Sequence, residues 1–395
     1  MADAKNESSS GPAAPQSKEH AFVKENFREY YLAHGVSVPS LSMREFGFGF
    51  EKKIDIRHKA FASQKELQDY FTAQVPLYAS YSAAFYEYPS ARPMQNKAFS
   101  KAELIFDLDA DAAHEGHNGA WCEACQKKVK SDCIRLLEDF LFPDFGFSKG
   151  EVAVNFSGSK GYHVHVNGKD AVQLSASQRA QLVEYAGGTN IDFQRFFFVA
   201  RHEVDAGKRR AVQVTGPSTD SKGWGKKLVA TARGALSLPP ERLVGVLKGA
   251  GYSKKQAEEI CANRENLSAS VDKGLWSAIE RPMLFAGEII KRAGDEHKVA
   301  LDRGVTVDMA RLIRIPDTLH GDSGLLAKTT AEISSFDPAN DAIAFSQGAV
   351  DRLIPLDDYE FPFGDTTYGL KKERLAEAPL AVAMLLLCKK KALLL

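Results

Sequence analysis

Two aspartates separated by one residue, Asp107 and Asp109, are the side chains of this sequence best suited to chemistry. They lie in the stretch 103–111 (ELIFDLDAD), where apolar and acidic residues alternate with the period of two that a β-strand requires. On one face of such a strand the two carboxylates are about 6–7 Å apart. Carboxylates this close repel each other unless a cation lies between them, and divalent cations prefer oxygen ligands. The pattern predicts a metal site suited to phosphoryl or nucleotidyl transfer, with a strand that ends in a merely solvated acidic turn as the alternative.

The segment after this strand carries two histidines and two cysteines with the spacing His-x2-His-x4-Cys-x2-Cys: His114, His117, Cys122 and Cys125. Zinc takes four such ligands in a tetrahedron, so we expect a zinc-binding loop over 112–126. Its role would be structural, because four protein ligands leave no open position for chemistry. A redox-active Cys-x-x-Cys and two free thiols are the alternatives, and Cys133 could replace a histidine as a ligand.

Residues 151–166 predict a strand, a tight turn and a second strand. The turn, Ser157–Gly161, offers backbone N–H groups and Lys160, which together suit a phosphate group, although the spacing is not that of a Walker loop. His163 and His165 share one face of the second strand. They could bind phosphate or metal, or simply be half exposed.

A third polar group, Arg311, Arg314 and His320, lies within ten residues near the end of the chain. Arginine presents a planar fork to phosphate oxygens, so this group suits a triphosphate. A basic stripe on the surface is the alternative. The segment before it, 301–308, alternates in polarity and predicts another strand.

The elements that must position these residues follow from periodicity and from turn residues. We expect helices over 20–34 and 65–75, and a β-hairpin from the runs 44–50 and 53–57. The expected organisation has four parts: a disordered tail (1–19), a core (20–230 and 297–369), an inserted helical subdomain (231–296) and a C-terminal helical tail (370–395).

Composition limits the possible cellular compartment and binding partners of the protein. The 395 residues carry 51 Lys and Arg against 51 Asp and Glu, so any nucleic-acid surface must be local. Five cysteines, two of them in Cys-x-x-Cys, indicate a reducing compartment. Residues 1–20 lack the apolar core of a signal peptide, and the apolar run 378–388 is too short to cross a bilayer. We expect a cytoplasmic protein, or a nuclear one in a eukaryotic cell, without a membrane partner.

Collinear motifs over most of residues 20–330 resemble the catalytic (small) subunit of archaeal and eukaryotic DNA primases: REFGFGF, IDIRHKAF, ELIFDLDAD, the zinc loop, NFSGSKGYHVHV and LDRGVTVDMARLIRIPDTLHG. The resemblance implies an α+β fold, with a mixed or antiparallel-sheet catalytic core, the zinc-binding loop and the inserted helical subdomain. The zinc loop departs from the all-cysteine version, since two histidines stand on its N-terminal side, as in some archaeal forms.

The resemblance also implies roles for individual residues. Three aspartates would bind the catalytic metal ions: Asp107, Asp109 and Asp302. Asp302 is preferred to Asp308 because its distance along the chain from His320 resembles the family's spacing. Seven residues would contact the nucleotide or lie near it: Ser157, Lys160, His163, Arg314, His320, Glu45 and Arg57.

The expected activity is template-directed synthesis of short RNA primers on single-stranded DNA, with DNA as an alternative product. Two Mg²⁺ or Mn²⁺ ions would serve catalysis and one Zn²⁺ ion would be structural. The expected partners are the template, ribonucleoside or deoxyribonucleoside triphosphates, and a large regulatory subunit in a heterodimer. The alternatives are a related polymerase for repair or translesion synthesis, an Asp-x-Asp phosphatase of the haloacid-dehalogenase type, and a non-catalytic nucleic-acid-binding subunit. The phosphatase class requires Thr or Val where this chain has Asp111.

Overall fold

The computed structural model describes residues 17–110, 119–204, 209–348 and 350–395. Contacts between residues divide the chain into two units. Unit 1 comprises Met1–Ser131, Gly150–Ala176 and Gly304–Leu395, and unit 2 comprises Asp132–Lys149 and Ser177–Arg303. Each unit is described by itself.

The described residues contain the strands β1 (Phe46–Gly49), β2 (Ile56–Lys59), β3 (Tyr78–Ser82), β4 (Ala84–Tyr86), β5 (Phe99–Ala102), β6 (Leu104–Asp109), β7 (Val152–Phe156), β8 (Gly161–Val166), β9 (Phe198–Val204), β10 (Arg209–Thr215), β11 (Leu312–Arg314), β12 (Thr329–Thr330), β13 (Val350–Pro355), β14 (Tyr359–Phe363), β15 (Thr366–Leu370), β16 (Ala376–Pro379) and β17 (Ala392–Leu394). The helices are α1 (Lys18–Ala33), α2 (Gln64–Gln74), α3 (Glu123–Arg135), α4 (Ala176–Ala186), α5 (Gly223–Leu236), α6 (Pro240–Gly249), α7 (Lys254–Ala262), α8 (Arg264–Asp272), α9 (Pro282–His297), α10 (Arg303–Val307), α11 (Pro338–Asp341) and α12 (Leu380–Cys388). The pairing of these strands is antiparallel, so the fold is α+β with antiparallel sheets.

Two four-stranded sheets of unit 1 carry most of the residues predicted to be functional. The first has the order β11-β3-β1-β2, and its β1–β2 pair confirms the predicted hairpin. The second has the order β12-β7-β8-β6 and confirms the predicted strand, turn and strand over 151–166. In the second sheet the side chains of Leu104, Phe106 and Leu108 are almost fully buried, as the alternating pattern of β6 requires.

A buried ionic cluster joins the segments that precede β1 and β6 to strand β8. The Arg44 guanidinium lies 2.6 Å from a carboxylate oxygen of Glu103, and His165 Nδ1 lies 3.2 Å from the other oxygen. The same guanidinium donates to the carbonyl of Ser82 and lies over the ring of Phe85. Burial raises the pKa of the Glu103 carboxyl, but the hydrogen bond and charge of His165 and the charge of Arg44 outweigh burial and bring it to about 2.

The C-terminal segment of unit 1 packs on the body of that unit. Only residues 380–388 of the predicted helical segment 370–395 form a helix, α12, and its flanking residues form strands β16 and β17. All of α12 except its first residue is buried. Gly324 lies so close to it that an added Cβ would be 3.2 Å from Met384 Cβ. The C-terminal helix therefore contacts the segment that follows His320.

Unit 2 consists mainly of helices, with the hairpin β9–β10. Its core includes Trp224 and Trp276, whose indole N–H groups donate to the carbonyls of Tyr185 and Pro217. Unit 2 extends well beyond the helical segment predicted over 231–296. No helix of the described residues is long and apolar enough to span a membrane.

The prediction of a strand over 301–308 is wrong, because residues 303–307 form the short helix α10. Val305 and Val307 are β-branched and alternate with polar residues, which favours a strand. Here consecutive residues Val305 and Thr306 are both buried, and the N–H of Asp308 donates to the carbonyl of Gly304. Tertiary packing has overridden the local pattern.

The cluster around Glu103 makes the protein less stable as the pH falls into the acidic range. Because the folded-state pKa is lower than that of an unfolded glutamate, the carboxylate stabilises the fold above pH ~4.5, and this contribution of about 3 kcal/mol is lost as the pH falls towards 2. We expect Glu103→Gln to lower the free energy of unfolding by about 3 kcal/mol at neutral pH and to flatten its pH dependence between 4.5 and 2.

Denaturant titrations at several pH values measure both effects. Glu25→Gln is the matched control, because Glu25 forms an exposed pair with Arg28 and should change stability little. An unchanged pH slope in the Glu103 variant would contradict the role given to this carboxylate.

Candidate active site

A cavity of about 340 Å³ in unit 1 collects side chains from both four-stranded sheets. Its lining includes most of the residues singled out from the sequence: Asp107, Asp109, Ser157, Lys160, His163, Arg311, Arg314, His320 and Arg57. The sequence motifs that carry these residues are therefore neighbours in space, as the predicted site requires.

The two aspartates of β6 lie beside β8 because the register of this pair sets Asp107 opposite His163 and Asp109 opposite Gly161. Asp107 is mostly buried, with 16% of its side chain exposed, and its Oδ1 is 3.5 Å from His163 Nε2. Asp109 is 52% exposed, and its Oδ2 is 3.2 Å from Lys160 Nζ. The two carboxylates thus enter one cavity with different degrees of solvation, and Lys160 balances the charge of the more exposed one.

The turn between β7 and β8 depends on glycines at two close approaches. A Cβ on Gly161 would be 2.1 Å from the carbonyl oxygen of Leu108 and 2.6 Å from Asp109 Oδ1. Gly158 has φ +85°, which favours glycine, and a Cβ there would be 2.9 Å from His320 Cβ. The Ser323 hydroxyl also donates to the carbonyl of Gly158. The turn and the segment that carries His320 are therefore packed together.

Arg314 is a buried cation that lines the cavity. It is only 9% exposed, and its Nη1 is 3.5 Å from the carbonyl oxygen of Ala79. Within the described ranges no carboxylate forms an ion pair with it. Burial lowers the pKa of Arg314 to about 10, so the guanidinium stays protonated at neutral pH. A buried, unpaired charge that lines a cavity favours an anionic ligand, because the ligand replaces the hydration that burial removed.

The two histidines that line the cavity are neutral at neutral pH. Burial, together with the charges of His165 and Arg314, lowers the pKa of His163 to about 3. Burial and the charge of Arg314 likewise hold the pKa of His320 well below its usual range. The backbone N–H of Asp322 donates to His320 Nδ1 over 3.1 Å, so the proton of this imidazole is on Nε2. His320 can therefore donate one hydrogen bond without carrying charge.

Glu45 and Arg57, both predicted to lie near the nucleotide, take different positions. Arg57 lines the cavity, whereas the carboxylate of Glu45 is fully buried behind it. Glu45 Oε1 is 2.7 Å from Arg57 Nε, and its Oε2 is 3.2 Å from Nζ of the buried Lys97. Arg57 Nη2 also donates to the carbonyl of Ala310. The glutamate therefore fixes the arginine that reaches the cavity.

Three further aspartates near His320 in the sequence belong to different units. Asp302, the predicted third metal ligand, belongs to unit 2, and its role stays a prediction from the resemblance. Asp308 and Asp322 line the cavity of unit 1. Sequence reasoning gave Asp322 no role, although its position two residues after His320 in a Gly-containing turn was a signal.

The predicted zinc loop is described only in part. His114 and His117 lie outside the described residues. The N–H of Cys125 donates to Cys122 Sγ over 3.5 Å, as in a turn that presents two sulfurs to one ion. Among the residues that the structure covers, no group of three or more His, Cys, Asp or Glu side chains could hold a metal ion. Gln126, which follows in α3, donates to the carbonyl of Ser159 over 3.1 Å. The segment that carries Cys122 and Cys125 therefore contacts the turn between β7 and β8, called the glycine turn below.

Comparison with known proteins identifies the family to which these motifs belong. The family model described as DNA primase small subunit matches residues 106–331, which include both aspartates of β6, the turn after β7 and His320. The chain is 35% identical over 358 residues to the DNA primase small subunit PriS of Methanothrix thermoacetophila, covering 85% of this chain and 89% of that protein.

Two further relatives show the same extent of similarity. The DNA primase small subunit PriS of Methanocella arvoryzae is 33% identical over 390 residues, with 93% of this chain and 97% of that protein covered. The protein of the same description from Methanococcoides burtonii is 32% identical over 343 residues, with 83% and 87% covered. The resemblance seen in the sequence motifs is confirmed, and the chain belongs to the DNA primase small subunit family.

Proposed function

We propose that the cavity of unit 1 is the site at which this primase subunit joins nucleotides. The family defines the activity as that of a DNA primase catalytic subunit, a nucleotidyltransferase of the DNA-directed RNA polymerase type that serves DNA replication. One observation carries the assignment of the site. The carboxylates of Asp107 and Asp109 line the same cavity as the buried guanidinium of Arg314, which forms no ion pair among the described residues. This arrangement supports a site in which the two carboxylates would bind metal ions and the guanidinium would bind the triphosphate.

The two carboxylates of β6 would supply part of the ligand set for a pair of Mg²⁺ or Mn²⁺ ions. Asp107 and Asp109 offer hard oxygen donors that project from neighbouring positions on one strand face. Lys160 now balances the charge of Asp109 and would be released to a phosphate when a cation takes its place. Asp302 is the proposed third ligand, on the basis of the family motif. When bound, the ions would lower the pKa of the attacking 3′-hydroxyl group and neutralise the departing pyrophosphate.

The other side chains of the cavity bind and orient the triphosphate. Arg314 offers a planar cationic fork to the phosphate oxygens. His320 donates from Nε2, and His163, beside Asp107, lies between the acidic and the basic groups. Ser157 and Lys160 belong to the glycine turn, whose backbone can approach the phosphates closely. These groups hold the α-phosphorus in line with the attacking oxygen, which is a contribution of orientation.

The template, the product and the partner subunit follow from the same family membership. Template bases would be read by pairing with the incoming nucleotide, so little sequence preference is expected from the protein. The product is a short RNA primer. The main alternatives are synthesis of DNA and a polymerase role in repair. A zinc ion held by His114, His117, Cys122 and Cys125 would stiffen the segment that contacts the glycine turn through Gln126. A large regulatory subunit would complete a heterodimer.

The metal-binding role predicts that Asp109→Asn abolishes synthesis without unfolding the protein. We expect primer synthesis on single-stranded DNA to fall by at least ~100-fold, because an amide binds divalent cations weakly. The pair with Lys160 is half exposed, so the free energy of unfolding should change by less than about 1 kcal/mol. Incorporation of labelled nucleotides measures the activity, and Asp69→Asn, in an exposed helical pair with Lys65, is the control. Full synthesis by the Asp109 variant would refute the site.

The phosphate-binding role predicts opposite effects of Arg314→Gln on binding and on stability. Loss of a charged contact to phosphate should raise the nucleotide KM by about 10- to 100-fold. The free energy of unfolding should stay within about 1 kcal/mol of the wild-type value or increase, because the substitution removes a buried charge that has no ion pair among the described residues. Steady-state kinetics and denaturant unfolding measure the two quantities, with Arg28→Gln on the surface of α1 as control. A destabilised variant with an unchanged KM would show that Arg314 is structural.

A further inference from the structure

We propose that Tyr78 is a positioning residue of the nucleotide site, which holds Arg314 and the segment from His320 to Asp322 in the arrangement that binds phosphate. This inference rests on the proposed function of the cavity. Tyr78 begins strand β3, and its side chain is nearly buried. It is absent from the motifs that the sequence analysis singled out.

The ring of Tyr78 contacts two phosphate-binding side chains at once. The guanidinium carbon of Arg314 lies 5.5 Å from the ring centroid, within the range of a cation–π contact. The ring of His320 meets the same ring edge to face, with centroids 5.7 Å apart and planes at 83°. Since Arg314 has no ion pair among the described residues, this ring and the carbonyl of Ala79 are the contacts that orient its guanidinium.

The hydroxyl of Tyr78 fixes the orientation of Asp322. It donates to a carboxylate oxygen of Asp322, which lines the same cavity as Arg314. The backbone N–H of Asp322 in turn donates to His320 Nδ1 and so selects the tautomer with a proton on Nε2. An acid in a phosphate site repels the ligand and competes for Arg314 unless its orientation is fixed. The tyrosine hydroxyl supplies that constraint.

The backbone leaves little room for movement of this ring. A Cβ on Gly321 would be 2.7 Å from Tyr78 Cζ, so the ring lies directly against the main chain between His320 and Asp322. The pairing of β11 with β3 places Arg314 opposite Ser80. Ser80 is two residues after Tyr78 on β3, so Arg314 lies on the strand next to that of Tyr78. One aromatic side chain is therefore wedged between the strand that carries Arg314 and the turn that carries His320.

Two substitutions separate the contributions of the hydroxyl and of the ring. We expect Tyr78→Phe to raise the nucleotide KM by three- to tenfold with kcat within twofold of wild type. Tyr78→Leu removes the ring contact as well and should raise KM further. Tyr70 provides the matched controls Tyr70→Phe and Tyr70→Leu, because its ring packs on Phe48 and Phe61. The leucine control should lower the melting temperature without changing KM.

A double substitution tests the route through Asp322. If the hydroxyl acts by restraining this carboxylate, Tyr78→Phe should have no effect in an Asp322→Asn background, where the repelling charge is absent. Equal and additive effects in both backgrounds would overturn that route. If Tyr78→Leu fails to fold, Tyr78→Phe and the double substitution still decide the question.

The outcome is distinguishable from failure of the proposed function. If Arg314→Gln leaves KM unchanged, the cavity is not the phosphate site and the proposed function fails. If Arg314→Gln raises KM but Tyr78→Phe leaves it unchanged, only the role of Tyr78 is overturned. The Tyr70 variants could also raise KM as much as the Tyr78 variants do. That result would show that the Tyr78 effect is a general loss of packing, and it would overturn the role of Tyr78.

Discussion

The hydrogen-bonded register between strands β6 and β8 is the constraint on which the site depends. It sets Asp107 opposite His163 and Asp109 opposite Gly161, so two acids, a neutral imidazole and the glycine turn meet at one end of a sheet. A slip of one residue would turn both aspartates into the apolar core occupied by Phe106. The apolar face of β6 thus fixes the position of its acidic face, and no separate device is needed to orient the carboxylates.

Charge compensation divides the buried ionic groups of unit 1 into two kinds. The buried Arg44 is paired with Glu103, and the buried Lys97 with Glu45, so these cations are satisfied by the protein itself. Arg314 is buried without such a pair in the described chain and lines the cavity. Paired ions fix the framework, since removal of either partner leaves a buried charge. An anionic ligand gains most beside a buried cation that the described chain does not neutralise, and this is the reason for proposing the triphosphate site at Arg314.

Local sequence patterns predicted the parts of the fold that depend on neighbouring residues. The alternation around Asp107 and the glycine turn after β7 are properties of short segments, and both strands form as expected. The misassigned segment 303–307 shows the limit, because burial of consecutive residues there is imposed by packing that periodicity does not contain. The role of Tyr78 was equally invisible in sequence. It depends on the pairing of β3 with β11, whose residues lie more than two hundred positions apart in the chain.

In the proposed site, one cavity holds both the catalytic cations and the nucleotide triphosphate. A crystal structure of the protein with a nucleoside triphosphate and Mn²⁺, with manganese located by its anomalous scattering, tests it most directly. We expect manganese bound to carboxylate oxygens of Asp107 and Asp109, and phosphate oxygens within about 3.2 Å of Arg314 and His320. Manganese bound elsewhere, or a triphosphate outside this cavity, would contradict it.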